Sequence, residues 1–333
     1  MKISVLKPSF DDAAIALAVF VLGLMIWMQE SSTSIQVAML RLFSTHNTTS
    51  FVTCANPQGV VSDGPHIWIA CRDANSIQEF NADDGRPLRT ITDSLDLANP
   101  ENLVFDGRNI WISNGSTSRG RLTKVRATDG TILTTYAVGS GPFGMVFDGV
   151  SVWVANYASN NLSKVNASTG RVTNGITLTG CRTPDALGFD GYHIWVSCVN
   201  DATVQMLDLS GGYLQTVKVG SHPYNFAFDG SNIWVVNVTG NSVTKISATS
   251  TCSCPNPPCV VGTYAVGAYP QGVASDSKYV WVSNLYENSV TKLLARDGGL
   301  VETVIGLSSP SFIASDGKNM WVTQGPANQV SKF

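Results

Sequence analysis

The chain has 333 residues, a net charge of −3 and only 14% charged residues, against about 25% in a typical domain. With no cluster of Lys and Arg, this composition excludes a nucleic-acid partner held by phosphate contacts. The sequence also lacks a phosphate-cradling glycine loop, a Gly-x-Ser-x-Gly elbow and a His-Glu-x-x-His pair, which excludes the common nucleotide, serine-hydrolase and zinc-protease sites.

In chain order, residues 1–28 come first. Lys2 and Lys7 precede Ala13 to Met28, sixteen residues without a charge. This reads as an apolar helix, either a signal anchor that holds the protein to a membrane through residues 13–28 or a signal peptide that is removed. Either form delivers the rest of the chain outside the cytoplasm, membrane-anchored or secreted, with a bacterial envelope as the expected setting. Residues 29–48, rich in Ser and Thr, form a tether.

From residue 49 to 333 one pattern recurs seven times, centred on Trp68, Trp111, Trp153, Trp195, Trp234, Trp281 and Trp321, at spacings of 43, 42, 42, 39, 47 and 40. A proline stands eleven residues before every tryptophan and an aspartate five before, and glycine follows the aspartate in all copies but the sixth, where Ser277 stands. A period near 40 with strand-like content signals a propeller, one four-stranded blade per repeat. Within a repeat the proline opens strand a, Asp-Gly makes the hairpin turn, the tryptophan lies on strand b, and strands c and d complete the blade. The fold expected is all-β: a seven-bladed propeller of antiparallel blades. The last repeat stops after strand c, and Thr49 to Thr53 fills the offsets of a strand d. That N-terminal strand should therefore complete the last blade, so the ring closes without an open edge.

The cysteines support export independently. Cys54 and Cys71 lie at offsets −14 and +3 from Trp68, and Cys181 and Cys198 lie at the same offsets from Trp195. Two positions changed together in the same two repeats behave as a contacting pair, which predicts disulfides Cys54–Cys71 and Cys181–Cys198, bonds that persist in oxidising compartments. Cys252, Cys254 and Cys259 lie in an insertion that accounts for the spacing of 47; either Cys252 or Cys254 pairs with Cys259.

The repeat Pro-x-Gly-(apolar)-x-x-Asp-Gly-x-x-(Ile/Val)-Trp-Val-x-Asn, followed by Asn-x-(Val/Leu)-x-Lys, resembles the YVTN, NHL and streptogramin-lyase-like repeats of extracytoplasmic seven-bladed propellers over all of 49–333. Streptogramin lyases carry Trp-Phe-Thr-Glu at the strand-b position and use histidine and glutamate about a bound magnesium. Here the third residue after tryptophan is Asn114, Asn156, Asn237, Asn284, Cys71, Cys198 or Gln324, never an acid. The asparagines are expected to bond neighbouring backbone.

In similar propellers ligands bind where the d–a and b–c connections surround the channel mouth. The residue after each repeat proline belongs there: Gln58, Glu101, Phe143, Asp185, Tyr224, Gln271 and Ser311. Arg72, Tyr157, Tyr286 and Asn200, just after strand b, join them. Glu101 and Asp185 are equivalent acids in blades two and four, a pair suited to a cation such as calcium or magnesium or to acid–base work. The aromatic residues suit a sugar or a peptide. Two functions are compatible with this rim: a non-enzymatic propeller that binds a protein or glycan without a cofactor, or a metal-dependent lyase or lactonase using Glu101 and Asp185. A subunit of a surface assembly is a further alternative.

Overall fold

The computed structural model describes residues 48–115, 120–248 and 259–333. These residues form seven four-stranded antiparallel sheets. Blade three is representative: strand a is Pro142–Phe147, b is Ser151–Asn156, c is Asn161–Asn166 and d is Val172–Thr177. The expected N-terminal helix, and the tether up to residue 47, fall outside the described residues. Among the described residues no helix is long and apolar enough to cross a membrane.

Closure occurs in blade seven. Thr49–Val52 pairs antiparallel with Gln329–Lys332, with Phe51 opposite Val330, so the first described strand is the outer strand of the last sheet. Thr53 then donates its backbone N–H to Asn328 O. Both disulfides predicted from the offsets form, Cys54–Cys71 and Cys181–Cys198, with Cα separations of 5.6 and 5.0 Å. Cys259 is also disulfide-bonded, and both candidate partners in the insertion lie outside the described residues.

Each element of the repeat has a physical reason. The proline lacks an N–H, and it sits where the a–b ladder slips: Pro142 faces Asn156, and pairing resumes at Met145 opposite Val154. The glycine after each aspartate holds a positive φ, 91° at Gly149, and Ser277 adopts 71° in its place. The aspartate itself caps the hairpin. Asp148 Oδ1 accepts the N–H groups of Val150 and Ser151, and Oδ2 accepts Trp153 Nε1–H at 2.7 Å. The same indole-to-carboxylate bond occurs in all seven blades, at 2.7–3.0 Å in six and 3.4 Å between Trp281 and Asp276.

The tryptophans seal the seams between blades. Trp68 packs with Leu103, Ile110 and Ile112 of blade two, Trp153 with Leu187 and Ile194 of blade four, and Trp321 with Val60 and Ile67 of blade one. At roughly 150–250 Å² per aromatic and about 25 cal/mol per Å², each buried indole contributes on the order of 4–6 kcal/mol as an upper value. The lysine of strand c spans the same seams. Lys124 lies 4.8 Å from the centroid of the Trp111 ring and donates to Ala167 O of blade three. Lys164 reaches Leu209 O of blade four, Lys245 reaches Ala295 O of blade six, and Lys332 reaches Ala82 O of blade one. Two blades differ opposite the indole, with Glu79 in blade one and Met206 in blade four.

Candidate functional site at the channel mouth

Strands a touch one another around the axis, so in six of the seven blades the first residue after the proline is carried to the inner rim. There a cavity of about 350 Å³ is lined by Gln58, Arg72, Glu101, Phe143, Tyr157, Thr183, Asp185, Tyr224, Gln271 and Phe312. All seven blades contribute. Eight of the candidate residues are thus brought together, while Tyr286 is not among the lining residues. It comes one position later after its tryptophan than Tyr157 does, which turns it outward. It is 68% exposed and stacks on Tyr269 with ring centroids 4.2 Å apart. Asn200 stands behind the lining and donates to Thr183 Oγ1 at 2.6 Å.

The floor is aromatic. The ring of Phe143 lies 5.8 Å from Tyr224 and 6.2 Å from Phe312, both tilted, so blades three, five and seven meet across the axis. Phe312 was missed from the sequence, where Ser311 held the rim position. Ser311 is instead buried, within 3.0 Å of the Thr323 hydroxyl. The position of Phe312 is Gly, Ala or Asn in the other repeats. At Gly144 an added Cβ would lie 2.4 Å from Ala186 Cα, so strand a has room there for little side chain. A lone phenylalanine at a position otherwise filled by small residues was the available signal.

The polar groups are unevenly compensated. Arg72 Nε lies 3.2 Å from Glu101 Oε1, an ion pair between blades one and two. Burial raises the Glu101 pKa, the Arg72 charge opposes that rise, and Asp73 adds to it. Asp185 has neither a hydrogen bond nor an ion pair with any described residue. Burial, aided by the Glu101 charge, pushes its pKa to about 7. The Tyr224 phenol is raised well above its ordinary value by burial and by the two nearby acids.

The frame behind the mouth explains the paired cysteine positions. Offsets −14 and +3 are in contact elsewhere too: a Cβ on Gly139 would lie 2.6 Å from Asn156 Cγ. In blades three, five and six this asparagine donates to hydroxyls on strand c, as Asn156 does to Ser163 Oγ at 2.9 Å. The expected bond to backbone occurs in blade two, from Asn114 to Asp96 O. In blades one and four a disulfide takes that place, and glutamine replaces the hydroxyl: Gln78 accepts the Cys54 N–H and Gln205 donates to Thr179 O. The two disulfides therefore flank Arg72 and Asp185. The residue before every repeat proline also has positive φ, including Thr183 at 56°, His222 at 58° and Tyr269 at 57°. Backbone strain of this kind concentrates where a site is held rigid.

The chain matches no family model and no curated protein. Among solved structures, a streptogramin B lyase superposes with a TM-score of 0.72 and 16% identity, over 86% of this chain and 96% of that one. In fold, the chain is a seven-bladed propeller similar to that lyase. Virginiamycin B lyase from Staphylococcus aureus gives a TM-score of 0.70 at 19% identity, over 86% of this propeller chain and 98% of that one. Kuenenia stuttgartiensis hydrazine synthase gives 0.71 at 18%, over 87% and 98%. At these identities the likeness is of architecture, and different chemistries share it.

Proposed function

We propose that this protein is an extracytoplasmic binding propeller that takes a ligand at the channel mouth and releases it unchanged. The observation that carries this reading is the convergence of side chains from all seven blades on one cavity of about 350 Å³, within the range of small-ligand sites. The two disulfides support an oxidising compartment. Attachment to a membrane through residues 13–28 belongs to the same reading.

A divalent metal fits the donor set poorly. Glu101 is engaged by Arg72, Asp185 is held near half-protonation at neutral pH, and among the described residues no three His, Cys, Asp or Glu side chains are grouped to hold an ion. Calcium or magnesium would have to displace a guanidinium and ionise a half-buried acid. The lyase or lactonase reading rests on the perturbed Asp185, since such shifts also mark catalytic acids.

The test is a thermal-shift screen of the purified protein against glycans, short peptides and small amines, followed by mass spectrometry of each hit after incubation. Hits recovered intact, and lost when Gln271→Trp fills the cavity, support binding without turnover. A hit converted by the wild type but not by Asp185→Asn overturns the non-enzymatic reading.

A further inference from the structure

We infer that the mouth cavity is selective for a small organic cation, an ammonium group seated beside the Asp185 carboxyl and the rings of Phe143, Tyr157 and Tyr224. The inference rests on the mouth-cavity reading and narrows it to one ligand chemistry.

Three charged side chains line the cavity. Arg72 and Glu101 neutralise one another across 3.2 Å. That leaves Asp185 as an acid without a protein partner, among Phe143, Tyr224 and Phe312. Asp185 is half-buried, and a carboxylate partly withdrawn from water without a counter-charge is unfavourable, which a ligand cation would relieve. The aromatic residues favour the same ligand, because ring faces carry the negative end of the quadrupole and attract ammonium groups once water is excluded. An anionic ligand would meet two acids and a guanidinium already engaged. A neutral sugar would hydrogen-bond to Asp185 in either protonation state but would bring no charge to balance the ionised carboxylate.

A cation would therefore enter as the Asp185 proton leaves. The groups that face this carboxyl or act on its neighbours are Glu101 of blade two, Arg72 and Asp73 of blade one, Tyr224 of blade five, and Tyr269 at the start of blade six. Of these, the Tyr224 phenol stays protonated, since burial and the two nearby acids raise its pKa. Asp185, pushed to about 7, titrates near neutrality.

The experiment is isothermal titration calorimetry of the purified protein with choline, n-butylammonium and agmatine, against 3,3-dimethyl-1-butanol, the uncharged shape analogue of choline. It is run at pH 6, 7 and 8 in buffers of different ionisation enthalpy. At least one cation should bind about tenfold or more tighter than the alcohol, releasing about half a proton at pH 7 and tightening from pH 6 to 8. Asp185→Asn should abolish the preference and the proton release, and Tyr157→Ala should weaken the same cation several-fold while leaving the thermal midpoint close to wild type. Equal binding of cation and alcohol, binding without proton release, or no binding of any of the three cations overturns the inference. If a neutral ligand binds in their place and is lost in Gln271→Trp, the mouth-cavity reading stands without it. If Gln271→Trp alters no binding at all, the mouth-cavity reading falls.

Discussion

Trp153 Nε1 donates a 2.7 Å hydrogen bond to Asp148 Oδ2, joining the residue that seals a seam to the residue that caps the hairpin beneath it. One carboxylate thereby satisfies a buried indole N–H and two turn amides, which is why the two residues keep a fixed separation of five in every repeat.

Asp148→Ala would leave the Trp153 indole N–H unpaired and the Val150 and Ser151 amides uncapped. The expected loss is about 2–3 kcal/mol, read as a lower urea midpoint with unchanged m-value. Asp276→Ala should cost about 1 kcal/mol less, because its bond to Trp281 is already 3.4 Å long. Equal losses at the two sites would show that the indole bond carries no weight.

The disulfides offer an internal control. Both close a separation of 17 residues, so the chain-entropy contribution of each is about 3 kcal/mol and nearly equal. Cys54 lies two residues beyond the closing strand Thr49–Val52, whereas Cys181 lies within the ring. Cys54→Ser with Cys71→Ser should therefore destabilise more than Cys181→Ser with Cys198→Ser, and equilibrium unfolding of the two double variants measures the excess that belongs to closure. No excess would mean that the strand pairing of Thr49–Val52 suffices.

The Asp185 contribution to stability should fall as pH rises from about 4 to about 7. In the unfolded chain an aspartate ionises near 3.9, while Asp185 in the fold holds its proton up to about 7. The folded state binds more protons in that window, so the slope of stability against pH is negative there and the penalty is complete above pH 7. Asp185→Asn should flatten the slope and make the variant more stable than wild type at pH 8, compared by urea unfolding at pH 5 and 8. Parallel curves would show that Asp185 is solvated.

Ser277 is the exception among the hairpin turns, with a φ of 71° where the other repeats place glycine. A side chain in this region costs roughly 1–2 kcal/mol, offset in part by the greater freedom of glycine in the unfolded chain. Ser277→Gly should stabilise by about 0.5–1 kcal/mol, a rise of roughly 1–2 °C in thermal midpoint. A decrease would mean that the Ser277 side chain makes a contact worth more than the strain.

Much of this architecture was legible because its determinants are local and repeated. Proline, aspartate and tryptophan act within one hairpin, so seven copies at fixed offsets declare seven blades. The disulfide pairing was legible for a different reason: a contact between a loop and a strand end leaves a mark when both members change together. The mouth was read through the same offsets, and it failed where a residue departs from the repeat. Phe312 occupies a position that the pattern assigns to small residues, and Tyr286 sits one step past the position that faces inward. The positive φ of Thr183, His222 and Tyr269 left no trace at all, because none of these residues is the glycine or asparagine that usually advertises it. Nor does the pattern give charge balance, since the isolation of Asp185 depends on Arg72 having already found Glu101.

The lysines of strand c act as straps from one sector to the next, and their absences divide the ring mechanically. In blade one Arg89 takes over, donating to Thr128 O of blade two. Met206 breaks the series between sectors four and five, and Lys292 turns back to Glu302 within sector six instead of crossing to seven. Blades five and six are thus a strapped couple bounded by two junctions without a lysine strap, and deuterium uptake under mild denaturant should appear first along those two lines.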